Sequence, residues 1–329
     1  MIGQHHIIVE SPRLKYEFSI KRFITLIQGD SATGKTTLID LLREYNRSGK
    51  SGPVKVESDV PCVVFDGSES DWSLFLSNKN GNIIFIDEGF EFIRTKEFAQ
   101  SIKYSDNYFV LITRESLPCL PYSINEIYGI RTTGKYHFPQ KIFHEFYPII
   151  ENSFCALENT SPTIVTEDSK AGFIFIKNAF NNSNCISANG NSNIYRIIKE
   201  LSRKTPAIIV ADGAAFGAFV EKLVEFAKYQ KNISIYLPES FEWLVLKSGL
   251  IKANNLDSIL ENPEKYADTV KYFSWEQFFT DFLESETQNS PKKKYNKDSL
   301  SNYYLESKNK EKILSVFPLE FVNYLREKH

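Results

Sequence analysis

The stretch FITLIQGDSATGKTTLIDLL, Phe23 to Leu42, decides how the first half of this chain is read. An apolar run of strand character enters Gly29-Asp-Ser-Ala-Thr-Gly34-Lys35-Thr36 and leaves as an amphipathic helix. This is the G-x-x-x-x-G-K-T (Walker A) spacing in the strand-loop-helix setting it requires. The glycines let the backbone turn tightly, so successive N–H groups and the helix N-terminus converge on a phosphate. Gly29, Asp30, Ser31, Ala32, Thr33, Gly34, Lys35, Thr36 and Thr37 are therefore the expected phosphate cradle. Lys35 would reach the β and γ phosphates, and the Thr36 hydroxyl would hold Mg²⁺.

Working outward, NIIFIDEG (82–89) carries the second signal. Four apolar residues of a buried strand deliver Asp87 and Glu88 together at its carboxyl end, where Asp87 would join the Mg²⁺ shell and Glu88 would polarise a hydrolytic water. Arg114 ends another strand candidate, YFVLITRES (108–116), at a position from which a guanidinium could sense a γ-phosphate, and Asp66 closes PCVVFDG (61–67). Ahead of the loop strand, alternating segments around Ser11-Pro12-Arg13 predict a hairpin. Helical stretches near 69–79 and 90–102 separate the strands, which argues for an α/β unit with a mainly parallel sheet.

At 329 residues, 42% hydrophobic and 24% charged, the chain can bury two ordinary cores. A net charge of −2 gives no overall pull toward nucleic acid or an anionic membrane. Cys62, Cys119, Cys155 and Cys185 form no C-x-x-C pair and read as reduced thiols of a cytoplasmic protein. No window approaches 18 uninterrupted apolar residues, so contact with a membrane is not expected.

Periodicity is lost from Glu151 to Pro162, and a second α/β rhythm follows. Strands are expected at 163–168, 184–190, 206–213 and 232–240, each followed by a helix. Right-handed crossovers bring Glu167, Asp168, Gly190, Asp212, Glu239 and Glu242 toward one rim. Carboxylates gathered there are hard oxygen ligands for Mg²⁺ or Mn²⁺, and equally they are N-caps for the following helices. Further on, Trp275, Phe278, Phe279 and Phe282 recur at helical spacing as a core stripe, while PKKKYNK (291–297) reads as a short, solvated basic linker. The expected organisation is a nucleotide-binding domain at 1–155, a second α/β domain at 160–255 and a helical extension at 256–329.

The hairpin before the loop and the Asp87-Glu88 pair resemble the ABC/SMC-like branch of P-loop ATPases, although L-S-G-G-Q and the guanine-reading N-K-x-D are both missing. The second half resembles a Toprim domain, the metal fold of topoisomerases, primases and overcoming-lysogenization-defect nucleases. Glu167 matches that family's catalytic glutamate, Gly190 its glycine turn, and Asp212 the first aspartate of D-x-D, while Glu242 matches a further acidic position of the nuclease branch. The second D-x-D position is Ala214. ATPase followed by Toprim is similar to those nucleases and to two-component bacterial defence systems. The strings SATGKTTL, DGAAFG and PESFEWL also resemble an ATP-binding family carried on mobile elements of Gram-positive bacteria.

The resemblance implies ATP and Mg²⁺ in the first half, with Lys35 and Glu88 catalytic. It implies a Mg²⁺ or Mn²⁺ nuclease site on Glu167, Asp212 and Glu242 in the second, acting on DNA or RNA. An ATP-dependent binding module that has lost that chemistry is the alternative. Homo-oligomerisation or a second subunit is a further implication.

Overall fold

The structure is a computed structural model that describes residues 2–29, 33–137, 140–150, 162–201, 205–230 and 232–326, without the side chains of Tyr136 and His137. The predicted cradle residues Asp30, Ser31 and Ala32, together with Cys155, lie outside the described residues. The chain divides into two compact units, Met1–Glu151 with Glu264–Phe273, and Asn152–Pro263 with Ser274–His329. Both are α/β.

The first unit contains β1 (His5–Glu10), β2 (Leu14–Ile20), β3 (Ile24–Ile27), α1 (Lys35–Ser48), β4 (Lys55–Glu57), β5 (Cys62–Val64), α2 (Trp72–Ser77), β6 (Ile83–Ile86), α3 (Lys96–Lys103), β7 (Tyr108–Ile112), β8 (Ile127–His137) and β9 (Lys141–Pro148). Among the described residues these strands make one nine-stranded sheet in the order β4-β1-β2-β9-β8-β3-β7-β6-β5. β3, β7, β6 and β5 run parallel, and β8 is parallel to β3. ITLI, IIFI and YFVLI are buried at every position, as strands covered on both faces must be.

The expected hairpin forms: β1 and β2 pair antiparallel, and the Ser11 N–H donates to the Leu14 carbonyl at 2.8 Å. The sheet is mixed: among the described residues five of its eight strand pairings are parallel and three, β1–β4, β1–β2 and β8–β9, are antiparallel. A second antiparallel hairpin, β8–β9, stands between β2 and β3. Phe18 stacks on Phe146 at 3.9 Å and Tyr16 on its register partner His144 at 4.5 Å, so aromatic cross-strand contacts fix the β2–β9 seam. The segment 264–273 returns to this unit, where Asp268 Oδ2 accepts from the buried Tyr108 hydroxyl at 3.0 Å.

The second unit contains β10 (Thr163–Thr166), α4 (Ala171–Ala179), β11 (Asn184–Ser187), α5 (Asn191–Leu201), β12 (Ala207–Val210), α6 (Gly217–Tyr229), β13 (Ile233–Tyr236), α7 (Phe241–Lys247) and α8 (Leu256–Glu261). After the return segment come α9 (Trp275–Thr287), α10 (Asn302–Leu305), α11 (Ser307–Leu314) and α12 (Leu319–Arg326). Its sheet is fully parallel, in the order β11-β10-β12-β13. The chain runs outward in one direction from β10 to β11 and in the other from β12 to β13. The crevice at the carboxyl ends of β10 and β12 is therefore the topological switch point, where open α/β sheets expose side chains to ligands. Trp275, Phe278 and Phe279 of α9 are buried, as the apolar stripe requires. Among the described residues no helix is long and apolar enough to cross a membrane.

Candidate functional site

Among the described residues a cluster of chemistry-bearing side chains stands at the carboxyl rim of each sheet. In the first unit the loop after β3 ends at Gly34, whose φ of 100° is open to glycine but strained for a side chain. A Cβ there would lie 2.8 Å from the Tyr16 hydroxyl, which donates to the Gly34 carbonyl at 3.0 Å. Gly34 caps α1 without a side-chain hydrogen bond, and the first turn of α1 carries no acidic residue. A helix end of this kind carries a partial positive charge suited to an anion.

The Lys35 ammonium lies across the loop, donating to the Gly29 carbonyl at 2.5 Å and to Thr33 Oγ1 at 3.2 Å. A cleft of about 490 Å³ opens beside it, lined by Tyr16, Thr33, Gly34, Lys35, Thr36, Thr37, Glu88, Arg114, Thr132 and His144, among others. The cleft unites residues from β2, α1, β8, β9 and the ends of β6 and β7. One strand, β7, stands between β3 and β6, so Arg114 is delivered between the loop after β3 and the Asp87-Glu88 pair.

Glu88 and Arg114 meet directly. The guanidinium donates through Nε and Nη2 to the two carboxylate oxygens, both at 2.9 Å. Asp87 faces elsewhere: its Oδ1 accepts from the Glu88 N–H at 2.9 Å and its Oδ2 from Arg43 at 3.3 Å. Burial pushes the Asp87 carboxyl above its ordinary value, and Arg43 pulls against that shift. Asp66 pairs with Arg43 at 3.3 Å and Arg47 at 2.7 Å, an ion-pair role on the outside of α1. For Mg²⁺, the Thr36 hydroxyl and the Asp87 and Glu88 carboxylates at this rim are oxygen donors of the right hardness.

In the second unit, Glu167 and Asp212 follow the two switch-point strands. Glu167 Oε2 accepts from the Asp212 N–H at 3.3 Å, and Asp212 Oδ1 accepts from the Phe241 N–H at 3.1 Å, at the start of α7. Asp212 therefore also acts as a helix-terminus acceptor. Glu242, in the first turn of α7, is 1% exposed and accepts from the Tyr295 hydroxyl at 2.7 Å through Oε1, while its buried Oε2 has no hydrogen-bond partner. These three predicted residues line one small cavity.

Asp168 lines the same cavity but serves its own turn, accepting from the Lys170 N–H at 3.0 Å. Gly190, at φ 126°, donates its N–H to the Glu167 carbonyl at 2.7 Å, and the Glu239 carbonyl accepts from Ala214 N–H at 3.1 Å. Both shape the rim through their backbone.

Two residues essential to this cluster escape the sequence reading. Glu276, in the first turn of α9, pairs with Lys297. The Lys297 Nζ also lies 3.9 Å from Asp212 Oδ2 and 4.0 Å from Glu242 Oε1. The basic linker reading holds only for the exposed Lys292, Lys293 and Lys294. Tyr295 is 1% exposed and Lys297 turns inward. Their i, i+2 spacing is the one available clue, since it can send both side chains to the same side of an extended segment.

Burial, reinforced by Glu276 and Asp168, pushes Glu167 up to about 8. Burial and then Glu167 raise Asp212 well above its ordinary value. Burial disfavours the Lys297 ammonium, but Glu242, Glu276 and Asp212 outweigh it and hold the group charged. The cation in this cluster is a lysine. Among the described residues no group of three or more His, Cys, Asp or Glu is disposed to hold a metal ion. Compared with known proteins, the chain matches no protein-family model and no curated protein.

Proposed function

We propose that this protein binds and hydrolyses ATP in the first unit and uses the second as a Toprim-like recognition module. The observation that carries the first statement is the convergence of the uncapped α1 N-terminus, Lys35, Glu88 and Arg114 on one cleft. ATP is chosen over GTP because no N-K-x-D string is present.

In this reading the N–H groups at the start of α1 and the Lys35 ammonium bind the β and γ phosphates. Thr36 and Asp87 would hold Mg²⁺, which when bound neutralises charge on the transferred phosphoryl group. Glu88 orients the attacking water. To do so it must give up Arg114, and the exposure of this pair, 58% for Arg114 and 33% for Glu88, makes that exchange cheap. An exposed ion pair is typically worth roughly 0.2–1 kcal/mol, more where it is bidentate as here, and the same guanidinium fork can engage phosphate oxygens in the same bidentate way.

The test is equilibrium binding of a fluorescent ATP analogue with phosphate release in parallel. Lys35→Ala should lose both; retained turnover would overturn the assignment. The nuclease reading of the second unit has one observation in its favour, the position of Glu167 and Asp212 at a switch point. Metal-dependent cleavage of DNA or RNA that disappears in Glu167→Ala would establish it over the recognition module.

A further inference from the structure

The carboxylate cluster of the second unit is built around a side chain rather than around solvent. Lys297 reaches it on a short segment held at several points. The Tyr295 hydroxyl donates to Glu242 at 2.7 Å, the Tyr295 N–H to Thr287 Oγ1 at 2.9 Å, and the Lys297 carbonyl accepts from the Ala171 N–H at 2.9 Å. Tyr295 is as buried as the hydrophobic core, so the ammonium is delivered by packing. It then meets Asp212, Glu242 and Glu276, carboxylates from three separate elements, with Glu167 hydrogen-bonded to the Asp212 backbone.

We propose that Lys297 is the resident cation of this cluster, standing where a divalent metal would be needed to hold Glu167, Asp212, Glu242 and Glu276 together. This deepens the recognition-module reading of the second unit and is independent of nucleotide binding. Two observations meet in it. One is the ammonium among the carboxylates. The other is Glu242 Oε2, buried without a hydrogen-bond partner. An ammonium carries three N–H donors and a single charge, so it cannot fill the acceptor oxygens of four carboxylates. Spare, desolvated acceptor capacity remains, and removing the lysine would turn it into a site for a hard divalent cation. Ala214, in place of the second D-x-D carboxylate, is consistent with a site that relies on an internal cation.

The experiment uses the full chain without nucleotide, in a Thr36→Ala background that silences the first-unit metal position. Bound Mn²⁺ is counted by electron paramagnetic resonance, and thermal unfolding is followed with Mn²⁺ or Mg²⁺ added. The parent protein should bind no Mn²⁺ in the micromolar range, and its unfolding midpoint should not respond to either ion. Lys297→Met should lower the midpoint, gain one Mn²⁺ at least tenfold more tightly than the parent, and recover the midpoint when the ion is added. A folded Lys297→Met that gains no ion overturns the proposal. So does a parent protein that binds Mn²⁺ and loses it on Asp212→Asn. Should Lys297→Met fail to fold, the parent titration alone decides. ATP binding, measured separately without the Thr36 substitution, reports on the first unit whichever way this result falls.

Discussion

At the residue scale, the chemistry proposed for the first unit turns on how Glu88 divides its time between Arg114 and a water. Glu88→Gln keeps the side chain's size and removes its basicity. Single-turnover kinetics should show ATP bound at near-normal affinity with turnover reduced about 10²–10⁴-fold, the usual worth of a positioned base. Arg114→Ala frees Glu88 but also removes a phosphate-seeking cation. Turnover should therefore fall, and a rise would mean that Arg114 serves only to restrain Glu88. Glu126 tests a different kind of residue. It is fully buried, accepts from Thr25 Oγ1 at 3.3 Å and lies 3.5 Å from Arg22 Nε. Burial pushes it from an ordinary 4.5 up to about 7. The folded state thus holds this proton more tightly than the unfolded chain. Its contribution to stability is complete below pH 4.5 and is lost as pH rises through about 7. Unfolding free energies from urea titrations across that window should fall by at most about 1.4 kcal/mol per pH unit on this account, and Glu126→Gln should flatten the slope. Glu88 and Arg114 were legible because each ends an apolar run. Lys297 and Glu276 were not, because no local pattern links positions that meet only through packing.

Elements explain which parts of the fold a sequence reading could reach. β3, β6 and β7 announce themselves as apolar runs buried on both faces. The β8–β9 hairpin did not. Its strands expose or half-bury most described positions, so alternation is weak and residues 127–148 carry no strong period. Yet that hairpin supplies Thr132 and His144 to the first-unit cleft and adds an antiparallel pairing inside the sheet. The N-cap of α1 is sensitive to a single added atom. Gly34→Ala forces a side chain onto φ 100° and drives a Cβ to 2.8 Å from the Tyr16 hydroxyl, itself packed on His144. Strain of roughly 1–3 kcal/mol is expected from the backbone alone. ATP-analogue affinity should drop at least tenfold while the far-ultraviolet spectrum is unchanged. Gly34→Ala together with Tyr16→Phe should recover part of the loss, because the hydroxyl is the atom in the way.

For the whole molecule, the chain's path between its two units matters more than the sequence boundary suggests. A break in periodicity at 151–162 marks the first crossing, but the second and third are invisible to composition. Residues 264–273 return to the first unit inside what reads as a helical extension. They complete its core: Asp268 takes the Tyr108 hydroxyl, and Phe273 packs edge-on against Phe23 at 5.9 Å. Each unit has its own buried core and its own charged cluster, so ligands should act on them separately. ATP with Mg²⁺ binds only the folded first unit in the proposed reading. At a hundredfold excess over its dissociation constant it should stabilise that unit by about 2.7 kcal/mol. Differential scanning calorimetry should resolve two transitions, one raised by ATP with Mg²⁺ and unmoved in Lys35→Ala, the other lowered by Lys297→Met and indifferent to nucleotide. The return segment sharpens the test. Asp268→Ala removes one of the two acceptors of the buried Tyr108 hydroxyl, which keeps the Gly3 carbonyl at 3.0 Å. A loss of roughly 0.5–1.5 kcal/mol is expected, and the substitution should lower the ATP-sensitive transition despite lying more than a hundred residues from the loop. If it lowers the nucleotide-indifferent transition instead, 264–273 belongs energetically to the second unit, and the division of the chain must be redrawn.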